Sequence, residues 1–241
     1  MDAVIVQSEE LKGELPIIRS LARSTVIPVG YNGRLFGPLD RQRIHDRRKA
    51  FGCSDDRIVL VYVGSMARFR HLDRLIEGFA KAKRLSENLQ LLMVGDGVAV
   101  KDLEAQAKAL GIVSDVVFTG RVSHENMMDY LAVADIGISF VPISRSYNYN
   151  PPLKTFEFLA CGMPVIATRT VSNSRIVTEG FNGVLVEDTA ESLCEGIIRL
   201  TSDRSLQDHI KMNASKSVAD FDFERITKNM LVPLYMKLLN K

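Results

Sequence analysis

The chain has 241 residues, 46% hydrophobic and 25% charged, a composition that fits a globular chain with a sizeable core and excludes a disordered or fibrous one. Its 31 basic and 29 acidic residues leave a net charge of +2, too little to argue for nucleic acid as a partner. No apolar run approaches the roughly 20 residues of a membrane span and no signal-peptide pattern opens the chain. Cys53, Cys161 and Cys194 are scattered without a Cys-x-x-Cys, so reduced thiols, a cytoplasmic setting and no metal site are expected.

Residues 1–35 suggest the end of something larger. Ala3–Val6 is a short apolar strand, Ser8 caps a helix with an acidic first turn, and Thr25–Pro28 is a second strand before the turn Gly30-Tyr31-Asn32-Gly33. One helix between two strands cannot bury a core, so this segment must pack on another surface or be the remnant of a missing domain. Pro38 opens a charged helix to about Ala50, with basic residues interspersed from Arg41 to Arg48, and Gly52 closes it.

From Arg57 onward, apolar runs at Ile58–Val63, Leu91–Val94, Val116–Thr119, Ile136–Phe140 and Val165–Ala167, with a weaker one at Gly183–Val186, alternate with amphipathic stretches. The latter lie near 71–87, 99–110, 124–134 and 151–161. Continuously apolar strands separated by helices predict an α/β fold, a Rossmann-like parallel sheet with helices on both faces. In such a sheet a ligand sits beyond the carboxyl ends of the strands, near the point where strand order reverses. Here those ends carry Gly64-Ser65, Gly95-Asp96-Gly97, Gly120-Arg121, the loop 141–150 and Thr168-Arg169-Thr170. After Asp188 the pattern is helical: Glu191–Leu200, Leu206 to about Ala219, and Phe223–Leu239, where Pro233 predicts a kink or interruption. The expected organisation is a remnant and linker at 1–35, a Rossmann-like domain at 36–205 and C-terminal helices at 206–241.

The stretch from Asn150 to Ala167 has the most to say about a ligand. Asn150 is a good N-cap, Pro151 and Pro152 sit where a first turn tolerates a missing N–H, and Gly162 ends the helix. The first-turn amides of Leu153, Lys154 and Thr155 are then available to an anion, with the Lys154 ammonium beside them. Glu157, three residues after Lys154, shares its face and can accept two hydroxyls. An ordinary capped helix with an exposed Lys–Glu pair fits the same residues. The other candidate is Gly64-Ser65-Met66-Ala67-Arg68-Phe69-Arg70-His71, which follows a strand. It is neither a Gly-x-Gly-x-x-Gly fingerprint nor a Walker loop, but it offers a glycine, a hydroxyl and two arginines suited to a diphosphate, or else a surface turn with solvated arginines. His71, His124 and His209 lack metal-ligand spacing, and Asp96 between two glycines suits a turn.

Together these segments resemble the nucleotide-sugar-binding domain of family 4 glycosyltransferases, which have the two-Rossmann GT-B architecture. The most specific piece is Pro152-Leu153-Lys154-Thr155-Phe156-Glu157-Phe158-Leu159-Ala160-Cys161-Gly162-Met163-Pro164-Val165-Ile166-Ala167. Tyr62-Val63-Gly64, Leu92–Gly97, Val117–Gly120, Ala134-Asp135-Ile136 and Gly180–Gly183 follow in the matching order. The resemblance implies one half of a GT-B fold in which Glu157 holds a ribose, the amides near Leu153 and Lys154 hold the diphosphate, and backbone near Arg121 and Val122 meets the base. Arg70 stands near the family's phosphate-binding lysine. Ser65 replaces the arginine that usually partners it, leaving Arg68 as a substitute. The family's paired glutamates are incomplete, because Tyr149 stands eight residues before Glu157.

By the same resemblance, residues 1–35 are expected to be only the last strand–helix–strand of the acceptor-binding domain, whose remainder is expected to be missing from this stretch. The expected activity is therefore that of a donor-binding half: transfer of a sugar from a nucleotide-diphosphate sugar to a hydroxyl acceptor, retaining and metal-independent by resemblance, with no cofactor. The isolated chain is expected to be inactive without an acceptor domain or partner subunit, through which any peripheral membrane contact would run. It is expected to self-associate through its last helix. The alternative is a non-catalytic nucleotide-binding module or split-enzyme subunit. A GT-B epimerase or phosphorylase relative is disfavoured by the lack of its catalytic residue set.

Overall fold

The computed structural model describes residues 4–14, 24–38 and 48–240. Six parallel strands form the main sheet: β3 (Ile58–Val63), β4 (Leu89–Val94), β5 (Val116–Phe118), β6 (Ile136–Ser139), β7 (Val165–Thr168) and β8 (Gly183–Val186). Two strands precede them, β1 (Val4–Val6) and β2 (Ser24–Val26), which pair in parallel as a separate ribbon. Between these two lies α1 (Glu9–Glu14), whose first turn is capped by Ser8 Oγ accepting from the Leu11 amide at 3.0 Å. Order in the main sheet is β5-β4-β3-β6-β7-β8. The chain winds outward from β3 in one direction, then returns to β6 and winds in the other, so the switch point lies between β3 and β6.

The strands are mostly apolar because both faces are covered, with only Gln90, Ser139 and Thr168 polar among them. Leu60, Tyr62, Leu91, Met93 and Ile138 point to one side, into a core with α2 (Leu72–Leu85), α3 (Val100–Ala109) and α8 (Ala190–Ser202). Val59, Val61, Leu92, Val94 and Val165 point to the other, against α4 (Met127–Ala132), α6 (Leu153–Ala160) and α9 (Arg204–Ser217). Period-2 side chains in a doubly covered sheet give the uninterrupted apolar runs seen in the sequence. Two short helices complete the body, α5 (Arg145–Asn148) and α7 (Val171–Ile176). Close packing of α6 on β6 depends on Gly137, where a Cβ would lie 2.4 Å from Phe158 Cδ2.

The charged helix expected at 38–50 falls largely outside the described residues, although 48–50 are helical and Gly52 takes φ +70°. From that end Arg48 reaches into the sheet, pairing with Asp135 Oδ2 at 2.7 Å and donating to Val133 O at 3.0 Å. The first segment packs on the main body. Val6 and Ile27 are buried, Glu10 pairs with Arg175, and Tyr31 exchanges backbone hydrogen bonds with Phe221 O (3.0 Å) and the Phe223 amide (2.9 Å).

Helix α9 joins the core through Ile210 and Ala214. The end of the chain departs from expectation in form. Instead of one helix interrupted at Pro233, α10 (Phe223–Ile226) passes into a π-helical turn, Thr227–Leu231, and then into α11 (Val232–Leu239). Pro233 has no N–H and its ring would strike the carbonyl four residues back; a widened turn ahead of it relieves both problems.

Candidate functional site

The site is built where α6 starts, beside the switch point. The sequence reading began this helix at Pro151 under an Asn150 cap, but the helix begins at Leu153 with Pro152 as N-cap, extended at φ −77°, ψ 120°. A residue that precedes proline is kept out of the helical region, so both Asn150 and Pro151 are held extended by their successors. Asn150 is exposed and donates its amide to Tyr147 O at 3.3 Å. At the other end, the Gly162 amide bonds Leu159 O (2.9 Å), the Met163 amide bonds Phe158 O (3.0 Å), and Gly162 has φ +71°, a Schellman stop.

With no side-chain cap, the amides of Leu153 and Lys154 have no hydrogen-bond acceptor among the described residues. Thr155 is not a third donor. Its amide goes to Pro152 O at 3.1 Å, and its buried hydroxyl lies 2.7 Å from Ser139 Oγ and 3.0 Å from Asn173 Oδ1. That network ties α6 to β6 and α7, so Thr155 serves to orient the helix start.

Lys154 is half-buried, its Nζ 3.8 Å over the centre of the Tyr62 ring and 3.4 Å from Phe140 O. Arg70 ends a 3₁₀ turn, Arg68–Arg70, and its guanidinium lies 4.6 Å over the Tyr147 ring. Its Nε is buried without a partner. Burial, reinforced by the Arg70 charge and opposed by Glu157, pushes the Lys154 ammonium well below the usual lysine range. Burial raises the Glu157 carboxyl, against the opposing pull of His124 and Lys154. The Tyr62 phenol is pushed up to about 12, chiefly by burial. Two cations and a carboxylate are thus partly stripped of water in one place, and an anion there would relieve the mutual repulsion of the cations.

Alongside opens a cleft of about 420 Å³ lined by Gly64, Ser65, Gly95, Asp96, Arg121 and Val122. Its floor is backbone. A Cβ on Gly95, which has φ +137°, would lie 2.0 Å from Gly64 O, and the Gly95 amide donates to Gly120 O at 3.1 Å. Asp96 accepts from the Gly97 amide at 2.7 Å, as turn chemistry predicts. The structure therefore brings together Arg70, Lys154, Glu157, Leu153, Pro152 and the two glycine loops. It leaves Arg68 apart, exposed and ion-paired with Asp102 at 3.1 Å, so the substitute role for Arg68 has no geometric support. Sequence reading missed Tyr62, Tyr147 and His124, whose place beside the charged groups comes only from folding.

A sheet wound both ways from a switch point, with a polar site at that point, places the chain in the Rossmann-like class. Within it, the chain belongs to the glycosyl transferases group 1 family, whose model matches residues 44–217. It is 30% identical over 222 residues to a D-inositol 3-phosphate glycosyltransferase of Geodermatophilus obscurus, covering 88% of this chain and 47% of the relative. It is 25% identical over 240 residues to the alpha-monoglucosyldiacylglycerol synthase of Streptococcus pneumoniae, covering 95% and 53%. The chain thus spans about half the length of these curated relatives. Among solved structures it superposes on a sucrose-phosphate synthase from Thermosynechococcus elongatus with a TM-score of 0.82 and 27% identity, covering 99% of this chain and 59% of that one. Anabaena HepE in complex with UDP-glucose shares the fold, with a TM-score of 0.81, 21% identity and coverage of 98% and 64%. Among the described residues no helix is long and apolar enough to cross a membrane.

Proposed function

We propose that this chain is the donor-binding half of a glycosyltransferase, taking a nucleotide-diphosphate sugar and supporting sugar transfer to a hydroxyl acceptor without a metal. The observation that carries the proposal is the convergence of the free Leu153 and Lys154 amides, the Lys154 ammonium, Arg70 and Glu157 at the switch point. The diphosphate lies at the start of α6, where amides and helix dipole favour negative charge. Glu157 accepts the two ribose hydroxyls, and the base enters the cleft by Arg121 and Val122. As the bond to the sugar breaks, its electron pair moves onto the diphosphate, and donors already aimed there stabilise that charge more than the ground state. Retention of configuration is carried by the resemblance alone. The alternative reading is a non-catalytic nucleotide-binding module that works with a partner chain. A module without an acceptor site cannot hold both reactants in place.

Calorimetric titration of the folded chain with UDP, GDP and ADP tests the site. Saturable binding of at least one is expected, and none from a folded sample would sink the assignment. Donor-consumption assays over candidate acceptors separate enzyme from module.

A further inference from the structure

One group near the site is not accounted for by donor binding as described. Tyr147, on the four-residue helix α5, contributes no atom to the cleft by Arg121, yet its ring carries the Arg70 guanidinium at 4.6 Å. Phe69 lies nearly parallel to that ring, with centroids 6.2 Å apart and an interplanar angle of 18°, and the guanidinium is 5.8 Å from the Phe69 centroid. The two arms of this contact come from distant parts of the chain, the loop after β3 and the loop before α6.

We propose that Tyr147 is a positioning residue for Arg70, an aromatic plate that holds the guanidinium toward the anion site while leaving its N–H edge unspent. This rests on the donor-site reading above. A guanidinium held over an aromatic ring is attracted by the ring's π face without spending a hydrogen-bond donor, so its N–H groups stay available to phosphate oxygens. The buried Arg70 Nε with no partner is the donor such an arrangement leaves waiting. An arginine fixed by a carboxylate instead would have its donors occupied and its charge neutralised. Arg68, paired with Asp102 through both Nε (3.2 Å) and Nη2 (3.1 Å), shows that alternative two residues away.

The plate itself is fastened. The amides of Tyr147 and Asn148 bond Ser144 O at 3.1 and 2.8 Å, and Asn148 Oδ1 accepts from the Val171 amide at the start of α7 at 2.9 Å. On the near side of the loop, the Ile143 amide donates to Asp188 Oδ2 at 2.9 Å, and Asp188 is held by Arg74 at 2.8 Å. Tyr147 is therefore set by backbone anchors independent of Arg70, as a positioning element requires.

The experiment measures affinity for whichever of UDP, GDP or ADP binds best, and for the matching nucleoside, in the wild-type chain, Tyr147→Phe, Tyr147→Ala, Arg70→Ala and the double variant Tyr147→Ala/Arg70→Ala. Tyr147→Phe keeps the ring and should bind the diphosphate within about twofold of wild type. Tyr147→Ala should lose about tenfold for the diphosphate and nothing for the nucleoside, the scale of a partly desolvated cation–π contact. In the Arg70→Ala background, Tyr147→Ala should cost nothing further. An NMR readout needs no ligand: the Arg70 Nε–H resonance, shifted by the ring, should hold its position in Tyr147→Phe and move in Tyr147→Ala. Unchanged diphosphate affinity in Tyr147→Ala, or losses that simply add to those of Arg70→Ala, would overturn the proposal while leaving the donor site intact. A folded wild-type chain that binds no nucleoside diphosphate would overturn the donor site and this role with it.

Discussion

Helices α6 and α11 have the same length and similar content, yet they meet opposite fates. Each is eight residues long, mostly apolar, and has proline at or near its start. Helix α6 buries Thr155, Phe156, Phe158, Leu159 and Ala160, whereas α11 buries no residue. Val232, Tyr235, Met236 and Leu239 are exposed, the last at 80%. A helix that is apolar nearly all round is expected in a core, so local sequence sets the helix and a tertiary partner decides whether it is buried. Helix α6 has β6, β7 and α9 to receive it; among the described residues α11 has no equivalent.

The difference is sharpest in stability. Phe158→Ala should cost about 3–5 kcal/mol, since the ring fills the space over Gly137 and its loss leaves a cavity. Met236→Ala, on exposed α11, should stay within about 0.5 kcal/mol. Urea denaturation of both variants at a concentration where the chain is monomeric checks this, and comparable losses would mean that α11 packs on its own chain.

A smaller effect separates the two ends of α6 itself. Glu157→Gln should weaken binding of nucleoside and nucleoside diphosphate alike by about 1–3 kcal/mol, because a charged acceptor of two hydroxyls becomes a neutral half-donor. Lys154→Ala should weaken only the diphosphate. Calorimetry on both ligands decides; equal losses in both variants would dissolve the division of roles.

The depressed Lys154 adds a pH dependence to diphosphate binding. A bound diphosphate favours the ammonium and raises its pKa. Between the free and bound values, binding therefore takes up a proton and affinity falls as pH rises. The same depression makes the unfolded chain bind more protons than the native one over the window below the ordinary lysine pKa, so the ligand-free chain gains stability as pH rises through it. Titrations in buffers of different ionisation enthalpy report the proton uptake, and Lys154→Ala should abolish it.

For α11 the expectation is self-association through the exposed apolar face, visible as concentration-dependent sedimentation that Met236→Lys reduces. A wild-type chain that stays monomeric at all concentrations would remove that role.

Much of this architecture was legible in sequence because it rests on local regularities. Apolar runs marked all six main strands, and Gly162 marked the end of α6. What failed was also physical. Asn150 has the chemistry of a cap, but Pro152 keeps Pro151 out of the helical region, so the helix cannot start next to Asn150, and the interruption expected at Pro233 takes the form of a π turn ahead of it. The aromatic plates under Lys154 and Arg70 were illegible because Tyr62 and Tyr147 are ordinary residues until folding sets them beside those cations. Arg68 and Arg70 both read as arginines suited to a diphosphate; only the direction of each in the 3₁₀ turn sends one to Asp102 and the other to the site.

The account depends most on where an anionic nucleotide lands. Amide NMR of the labelled chain, titrated with the nucleoside diphosphate that binds best, reads that position directly. The largest shifts are predicted at Leu153 and Lys154, with further shifts at Gly64, Gly95 and Val122 and none along Val232–Leu239. Saturable shifts that leave the start of α6 untouched and gather elsewhere, such as the cavity between Val26 and Ile176, would contradict it.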